Sequence, residues 1–248
     1  MDQLVEIKSK IQINPSRVGK KYFIKTFGCQ MNEHDSERIS GMFELDGMSK
    51  AISEEYADVL FVNTCTIREN ADDKLYGTLG QLKQWKSQKD NRKLLVGGCA
   101  AQKDKELVRE KAPWVDVVIG THNLTNVVDL LNRSEDWGPL TEIIDEIETL
   151  PTEAPSIRES EYSAWVTIQI GCNNSCTFCI VPSVRGQEIS RRPSDIVNEA
   201  KKLVDEGVKE ITLLGQNVNS YGRDLKIEGK ARPYLSLIHI SEPTRRIE

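Results

Sequence analysis

Cys29, Cys65 and Cys99 lie 36 (65 − 29) and 34 (99 − 65) residues apart, and each directly follows a short apolar run. The runs are Tyr22–Phe27, Val59–Val62 and Leu94–Val96. The stretches between them have helical spacing. Asp35–Leu45 carries Ile39, Met42 and Phe43, Ile67–Trp85 carries Leu75, Leu79 and Leu82, and a charged helix is expected over 103–111. A fourth strand follows at Val115–Ile119 and another helix at Leu124–Leu131. Strands that alternate with helices predict an α/β fold with a parallel, doubly wound, flavodoxin-like sheet. The strand ends of such a sheet share one edge, where its ligands bind. Three cysteines scattered in sequence are thereby predicted to meet. Gly28, Gly97 and Gly98 beside them permit tight turns and close approach of a bulky guest.

A second triplet is compact. Cys172, Cys176 and Cys179 follow the alternating run Trp165, Val166, Ile168, Ile170, which predicts a strand over 165–170. A helix is expected over 195–206, capped by Ser194 and stopped by Gly207, and then a strand at Glu210–Leu214. That makes one βαβ unit. Acidic residues and Pro139, Pro151 and Pro155 crowd the segment between the two regions, with a short strand or helix expected near Ile143–Ile147. The expected division is an N-terminal domain over 20–133, a connection over 134–160 and a second α/β domain over 161–235. Residues 236–248 change character and read as a non-native tail, so His239 and Arg245–Arg246 are given no role.

Composition decides how the cysteines are read. The chain has 248 residues, 38% hydrophobic and 29% charged, with a net charge of −5. No secretory leader is recognisable, and no segment nears the ~18 apolar residues of a membrane span. A cytoplasmic protein is expected, where thiols serve metals or catalysis rather than disulfides. The acidic balance gives no broad nucleic-acid footprint, so RNA contact would need a local patch. Three thiolates on one short loop can hold three irons of a [4Fe–4S] cluster and leave the fourth iron open. A single buried cysteine is ordinarily a small hydrophobe, but three at one structural position favour a second cluster. Zinc competes for both triplets, with His34 or His122 as a fourth ligand to the first. A flavodoxin-type module would need a phosphate loop after the first strand; that position holds Gly28-Cys29-Gln30-Met31-Asn32.

These segments resemble the radical SAM methylthiotransferases. Gly28-Cys29-Gln30-Met31-Asn32 with Asp35-Ser36-Glu37, Asn63-Thr64-Cys65-Thr66-Ile67-Arg68-Glu69-Asn70-Ala71 and Gly97-Gly98-Cys99-Ala100-Ala101-Gln102 are similar to the family's three N-terminal cysteine motifs. Cys172 to Cys179, then Val181-Pro182 and Arg185-Gly186, resembles its radical SAM start, although Ser183-Val184 stands where many members carry Tyr-Thr. Leu213-Leu214-Gly215-Gln216-Asn217-Val218-Asn219-Ser220-Tyr221 is similar to the branch that acts on isopentenylated adenosine beside the tRNA anticodon. Sister branches modify threonylcarbamoyl-adenosine in tRNA or an aspartate of ribosomal protein S12.

The resemblance implies two [4Fe–4S] clusters, an auxiliary one on Cys29, Cys65 and Cys99 and a SAM-binding one on Cys172, Cys176 and Cys179. It implies S-adenosylmethionine (SAM) as cosubstrate, with Phe178 beside its adenine and Gly215, Gln216 and Asn217 near its amino acid moiety. A 5′-deoxyadenosyl radical would take hydrogen from C2 of the adenine, and a methylthio group would replace it. Arg185, Arg191 and Arg192 make a local basic group with two readings, contacts to tRNA phosphates or a solvated charge run before the helix. His34 and Asp35 are expected at a helix start, with Asp35 as N-cap. A reduced flavodoxin- or ferredoxin-type electron donor, a monomer and no membrane complete the expectation. A radical SAM partial barrel has about six βα units, and two of its strands are found here. No turnover is expected from these 248 residues by themselves.

Overall fold

The computed structural model describes residues 13–66, 71–146, 155–227 and 230–231. Its first half is built on β1 (Lys21–Thr26), α1 (Gln30–Leu45), β2 (Ser49–Lys50), β3 (Val59–Thr64), α2 (Ala71–Ser87) and β4 (Lys93–Gly98). Then come α3 (Cys99–Asp104), α4 (Leu107–Lys111), β5 (Val117–Ile119), α5 (Val127–Trp137) and β6 (Leu140–Glu142). Among the described residues these strands form one six-stranded sheet, ordered β2-β1-β3-β4-β5-β6 and parallel throughout. The order reverses at β1, which lies between β2 and β3. That is the switch point where open α/β sheets bind ligands.

Two apolar cores account for the double winding. Side chains alternate across a strand, so Leu60, Val62, Leu94, Val96 and Val118 face Leu75, Leu79, Leu82 and Trp85 of α2, with Ala100, Ala101 and Val108. Val59, Phe61, Leu95, Val117 and Ile119 point the other way, onto Ile39, Met42 and Phe43 of α1 and Val127, Leu130 and Leu131 of α5. With both faces covered, every residue of β3 is buried.

The second half contains β7 (Ser163–Thr167), β8 (Gln169–Ile170), α6 (Val181–Arg185), β9 (Ile189–Ser190), α7 (Pro193–Asp205) and β10 (Glu210–Leu214). β7 and β10 pair in parallel, and Ile196 and Leu203 of α7 pack on Ala164, Val166 and Ile168. A short antiparallel pair, β11 (Lys226–Ile227) and β12 (Lys230–Ala231), ends the described chain.

Several expected boundaries move. α1 begins at Gln30 with Cys29 as its N-cap, so Asp35 is an interior helix residue and not a cap. α7 begins at Pro193 with Arg192 preceding it, which places Ser194 inside the first turn. The charged helix over 103–111 is two short helices, α3 and α4, broken at Lys105 with φ +50°. The run 165–170 divides at Ile168, because β7 pairs with β10 while β8 turns to pair with β9. The segment expected as a connection from 134 still belongs to the first sheet up to 142, through α5 and β6. Residues 67–70, 147–154 and the expected tail at 236–248 lie outside the described residues.

Candidate metal centre

The parallel register brings three of the thiols together. Thr26 stands beside Asn63 across β1 and β3, and Thr64 beside Gly98 across β3 and β4, so the three strands end level. Cys65 and Cys99 are the next residues along, and Cys29 follows Thr26 after Phe27 and Gly28. Cys29 opens α1, whose peptide dipoles favour negative charge at that end. The turn carrying Cys65 packs against Gly28, where an added Cβ would stand 3.0 Å from the Cys65 Cβ and 3.2 Å from its Sγ. Gly98, at φ +89°, puts Cys99 at the start of α3; a Cβ there would meet Asn63 Oδ1 at 2.4 Å and Thr64 O at 2.5 Å. None of the six cysteines is in a disulfide.

Asn32 organises this edge, and nothing local in the sequence assigns it that role. It is fully buried. Its Nδ2 donates to the carbonyls of Phe27 (2.9 Å) and Thr64 (2.7 Å), tying together the loops that carry Cys29 and Cys65. Its Oδ1 lies 3.9 Å from Cys29 Sγ and 3.9 Å from Cys99 Sγ. Asn63 Nδ2 donates to the Asn32 carbonyl at 2.7 Å, and Thr64 Oγ1 accepts from the amides of Ala100 (3.2 Å) and Ala101 (3.3 Å). The asparagine and threonine before Cys65 thus brace the other two cysteine loops.

The second half docks onto the same edge. Arg185, 5% exposed, pairs through Nη1 with Asp35 Oδ2 at 2.8 Å and donates from Nη2 to Asn32 Oδ1 at 2.9 Å. Burial works against its charge, yet Asp35 and Cys99 hold the guanidinium above its usual range. Burial pushes the Cys99 thiol up, and Arg185 opposes that rise. His34 Nδ1 and Thr167 Oγ1 share a 2.9 Å hydrogen bond. Burial, with Arg38 and Arg191 adding to it, holds that imidazole well below the usual histidine range. Met31 packs with Ile170 and Leu214 beneath them.

The residues of the second triplet are held differently. Gly171, at φ +72°, starts the loop against the Gln187 carbonyl, and the Cys172 amide donates to the Gly186 carbonyl at 3.2 Å. Cys172 is buried and lines a cavity of about 300 Å³ with Asn173, Asn174, Pro182, Gly186 and Gln187. Cys176 and Cys179 are exposed on a turn closed by the Cys179 amide on the Cys176 carbonyl at 3.1 Å. Phe178 between them is 99% exposed. Gly215 and Gln216 follow β10, and the buried Gln216 Oε1 has no hydrogen-bond partner among the described residues.

The expected basic surface of Arg185, Arg191 and Arg192 does not form. Arg185 is committed to Asp35 and Asn32, and Arg191, 3% exposed, pairs with Glu199 at 2.5 Å and donates to the Thr167 carbonyl at 2.8 Å. Of the three, Arg192 alone is exposed. His34 is engaged by Thr167 rather than by the thiols as a fourth ligand. Among the described residues, no three His, Cys, Asp or Glu side chains stand close enough to share one metal ion. A four-iron cube takes one thiolate per iron, so its ligands surround the group and need not meet at a point. The donor set at 29, 65 and 99 fits such a guest: three thiols outside any disulfide, just beyond three level strand ends, with one asparagine behind them.

Comparison with known proteins agrees. Residues 21–120 match the family described as "Uncharacterized protein family UPF0004", and residues 166–242 match the radical SAM superfamily. A protein of Tropheryma whipplei (strain Twist) is 58% identical over 202 residues, and one of Corynebacterium urealyticum is 52% identical over 217. Both are named tRNA-2-methylthio-N(6)-dimethylallyladenosine synthase. The chain joins a UPF0004 region to a radical SAM region, and it is similar to these synthases along both. The matched stretches take up 81% and 87% of this chain but 43% and 40% of those relatives, so it spans less than half their length. Among solved structures, the radical S-adenosylmethionine methyltransferase TsrM from Kitasatospora setae, with cobalamin and a [4Fe-4S] cluster bound, shares the fold. Its TM-score is 0.52 at 11% identity, over 81% of this chain and 48% of that one. No helix among the described residues is long and apolar enough to cross a membrane.

Proposed function

We propose that this chain is the cluster-bearing portion of an enzyme that methylthiolates C2 of N6-dimethylallyladenosine beside the anticodon of tRNA. The observation that carries the reading is the gathering of Cys29 and Cys99 on the Asn32 oxygen, with the Thr64 carbonyl before Cys65 held by the Asn32 amide and Arg185 from beside the second triplet docked onto the same asparagine. The names of the relatives supply the substrate. Each triplet would hold one [4Fe–4S] cluster. S-adenosylmethionine on such a reduced cluster supplies a carbon radical able to take an unactivated aromatic hydrogen, which side-chain acid–base chemistry cannot remove.

The chain's own residues bind and orient. Cys172, Cys176 and Cys179 hold the cluster that takes SAM. Phe178, bare on that loop, covers the adenine once SAM is bound. Gly215, Gln216 and Asn217 at the end of β10 meet the amino acid moiety, and the unpaired Gln216 Oε1 is an acceptor for its ammonium group. Arg192, exposed at the start of α7, meets tRNA phosphate. Electrons come from a reduced flavodoxin- or ferredoxin-type protein in the cytoplasm, and the enzyme works as a monomer. Of the expected domains, the first runs from 20 to 142 rather than 133, the connection ends at 160, and the radical SAM region occupies 161–235.

Iron and labile sulfide per chain, measured after anaerobic reconstitution, test the reading. Changing either cysteine triplet to alanine removes about four irons and leaves about four. An iron-free protein, or one that holds zinc instead, overturns it. A chimera completing this chain with the remaining C-terminal part of the Tropheryma whipplei relative tests the substrate. Nucleoside mass spectrometry of tRNA treated with it then shows the methylthio derivative of dimethylallyladenosine, and a product on threonylcarbamoyl-adenosine instead would reassign the branch.

A further inference from the structure

Arg185 ends α6, the helix that follows the Cys172–Cys179 loop, yet its guanidinium lies inside the other sulfur site. It touches Asp35 and Asn32 of α1, and its charge acts on the Cys99 thiol. The Asn32 oxygen it grips stands 3.9 Å from the sulfurs of both Cys29 and Cys99. A full positive charge is thus delivered to the N-terminal thiols by the domain that carries the other three. Around it stand Asp35 as counter-charge, Arg38 and Arg191 beyond, and His122 beside Gly186.

We propose that Arg185 is a positioning residue that sets the reduction potential of the cluster on Cys29, Cys65 and Cys99, its charge being in place only while the two domains are docked. The inference rests on the reading of the first triplet as a cluster site. Reduction adds one negative charge to such a site. A buried cation beside the sulfurs favours the reduced state and raises the potential, and Asp35 offsets part of that effect. A lysine would keep the charge but lose the planar fork that engages Asp35 and Asn32 together.

The test uses the 248-residue chain with Cys172, Cys176 and Cys179 all changed to alanine, so that only the first triplet can load. Iron per chain is measured first, then the midpoint potential by titration with dithionite followed by electron paramagnetic resonance. Arg185→Gln lowers the potential, Arg185→Lys restores part of the difference, and Asp35→Asn raises it. Opposite signs for the two neutralising changes separate an electrostatic role from simple loosening, which would move both variants the same way. Equal potentials in all variants at full loading, or shifts of one sign, overturn the inference and leave the cluster reading intact. Should Arg185→Gln load no iron, the upward shift of Asp35→Asn decides, and its absence overturns the proposal. If the parent of the series binds no iron, the cluster reading itself fails and the inference falls with it.

Discussion

The two sulfur sites are built by different means. Cys29, Cys65 and Cys99 come from three separate strand ends, and the sheet register, two glycines and Asn32 hold them before any guest arrives. Cys172, Cys176 and Cys179 come from one loop that is fixed at its base by Gly171 and Gly186 and is exposed from Asn173 to Cys179. The first arrangement spends folding energy on a formed cradle. The second leaves its thiols to be ordered by what they bind. A site that must admit a cosubstrate benefits from the open loop, whereas a site far apart in sequence can exist only if the fold assembles it.

Substitutions that probe the cradle should accordingly cost more than matched ones in the second half. The largest effect is expected at Gly98. Its φ of +89° and ψ of −165° suit glycine almost alone, and an added methyl would meet Asn63 Oδ1 at 2.4 Å and Thr64 O at 2.5 Å. Backbone strain and overpacking together destabilise Gly98→Ala by about 3 kcal/mol or more. Gly207→Ala, at φ +95° with nothing within 4 Å, costs about 1 kcal/mol of backbone strain only. Urea unfolding of the two variants checks the difference, and equal losses would break the comparison.

Next in size is Asn32. Asn32→Leu keeps the branched shape of the side chain but leaves the carbonyls of Phe27 and Thr64 without their donor, for about 2–3 kcal/mol of lost stability. Asn173→Ala removes one bond, from the Glu188 amide at 3.0 Å, at an exposed position and changes stability by about 0.5 kcal/mol. Iron content separates them as well: Asn32→Leu lowers loading of the first triplet, while Asn173→Ala leaves that triplet unaffected.

The same contrast explains what could be read from residues alone. The parallel sheet and the meeting of Cys29, Cys65 and Cys99 follow from local periodicity plus topology, so both were legible. Asp35 reads as a helix cap because Asx residues favour that position. Its actual partner, Arg185, lies on the other domain, and no local pattern announces it. Arg185 and Arg191 read as a solvated charge group for the same reason, since Asp35 and Glu199 neutralise them only in the folded chain. The true start of α1 has no signal: Cys29 caps it without a side-chain hydrogen bond. Asn32 was visible as a letter in a motif, but its bonds to Phe27, Thr64 and Arg185 are tertiary.

A smaller effect is expected from pH, at the seam between the two regions. His34 has its folded value below the unfolded 6.5, so the unfolded chain binds the extra proton first as pH falls. Stability is therefore full above about pH 6.5 and declines as pH drops below it toward the folded value. His122 shifts the same way through burial, so the comparison must be between variants. His34→Gln keeps a hydrogen-bonding group toward Thr167 and removes the titration. Melting temperatures measured from pH 7.5 to 5.5 should fall less steeply in the variant than in the parent, and parallel profiles would remove His34 from the account.

The smallest expected change tests the open loop most directly. Phe178 is 99% exposed, so in the absence of ligand its ring has almost no burial to lose. Phe178→Ala should leave the melting temperature of the metal-free chain within the scatter of surface substitutions, about 0.5 kcal/mol. A buried phenylalanine in the first domain behaves otherwise: Phe61→Ala, from full burial between β3 and the α1 and α5 layer, would cost about 3–5 kcal/mol. If Phe178 waits for the adenine of SAM, its truncation should weaken SAM binding to the reconstituted chain, measured by calorimetry, by about 0.5–1.5 kcal/mol of stacking. Unchanged affinity would assign the bare ring to another contact. A large loss of stability in the metal-free chain would mean that the loop is already folded over it.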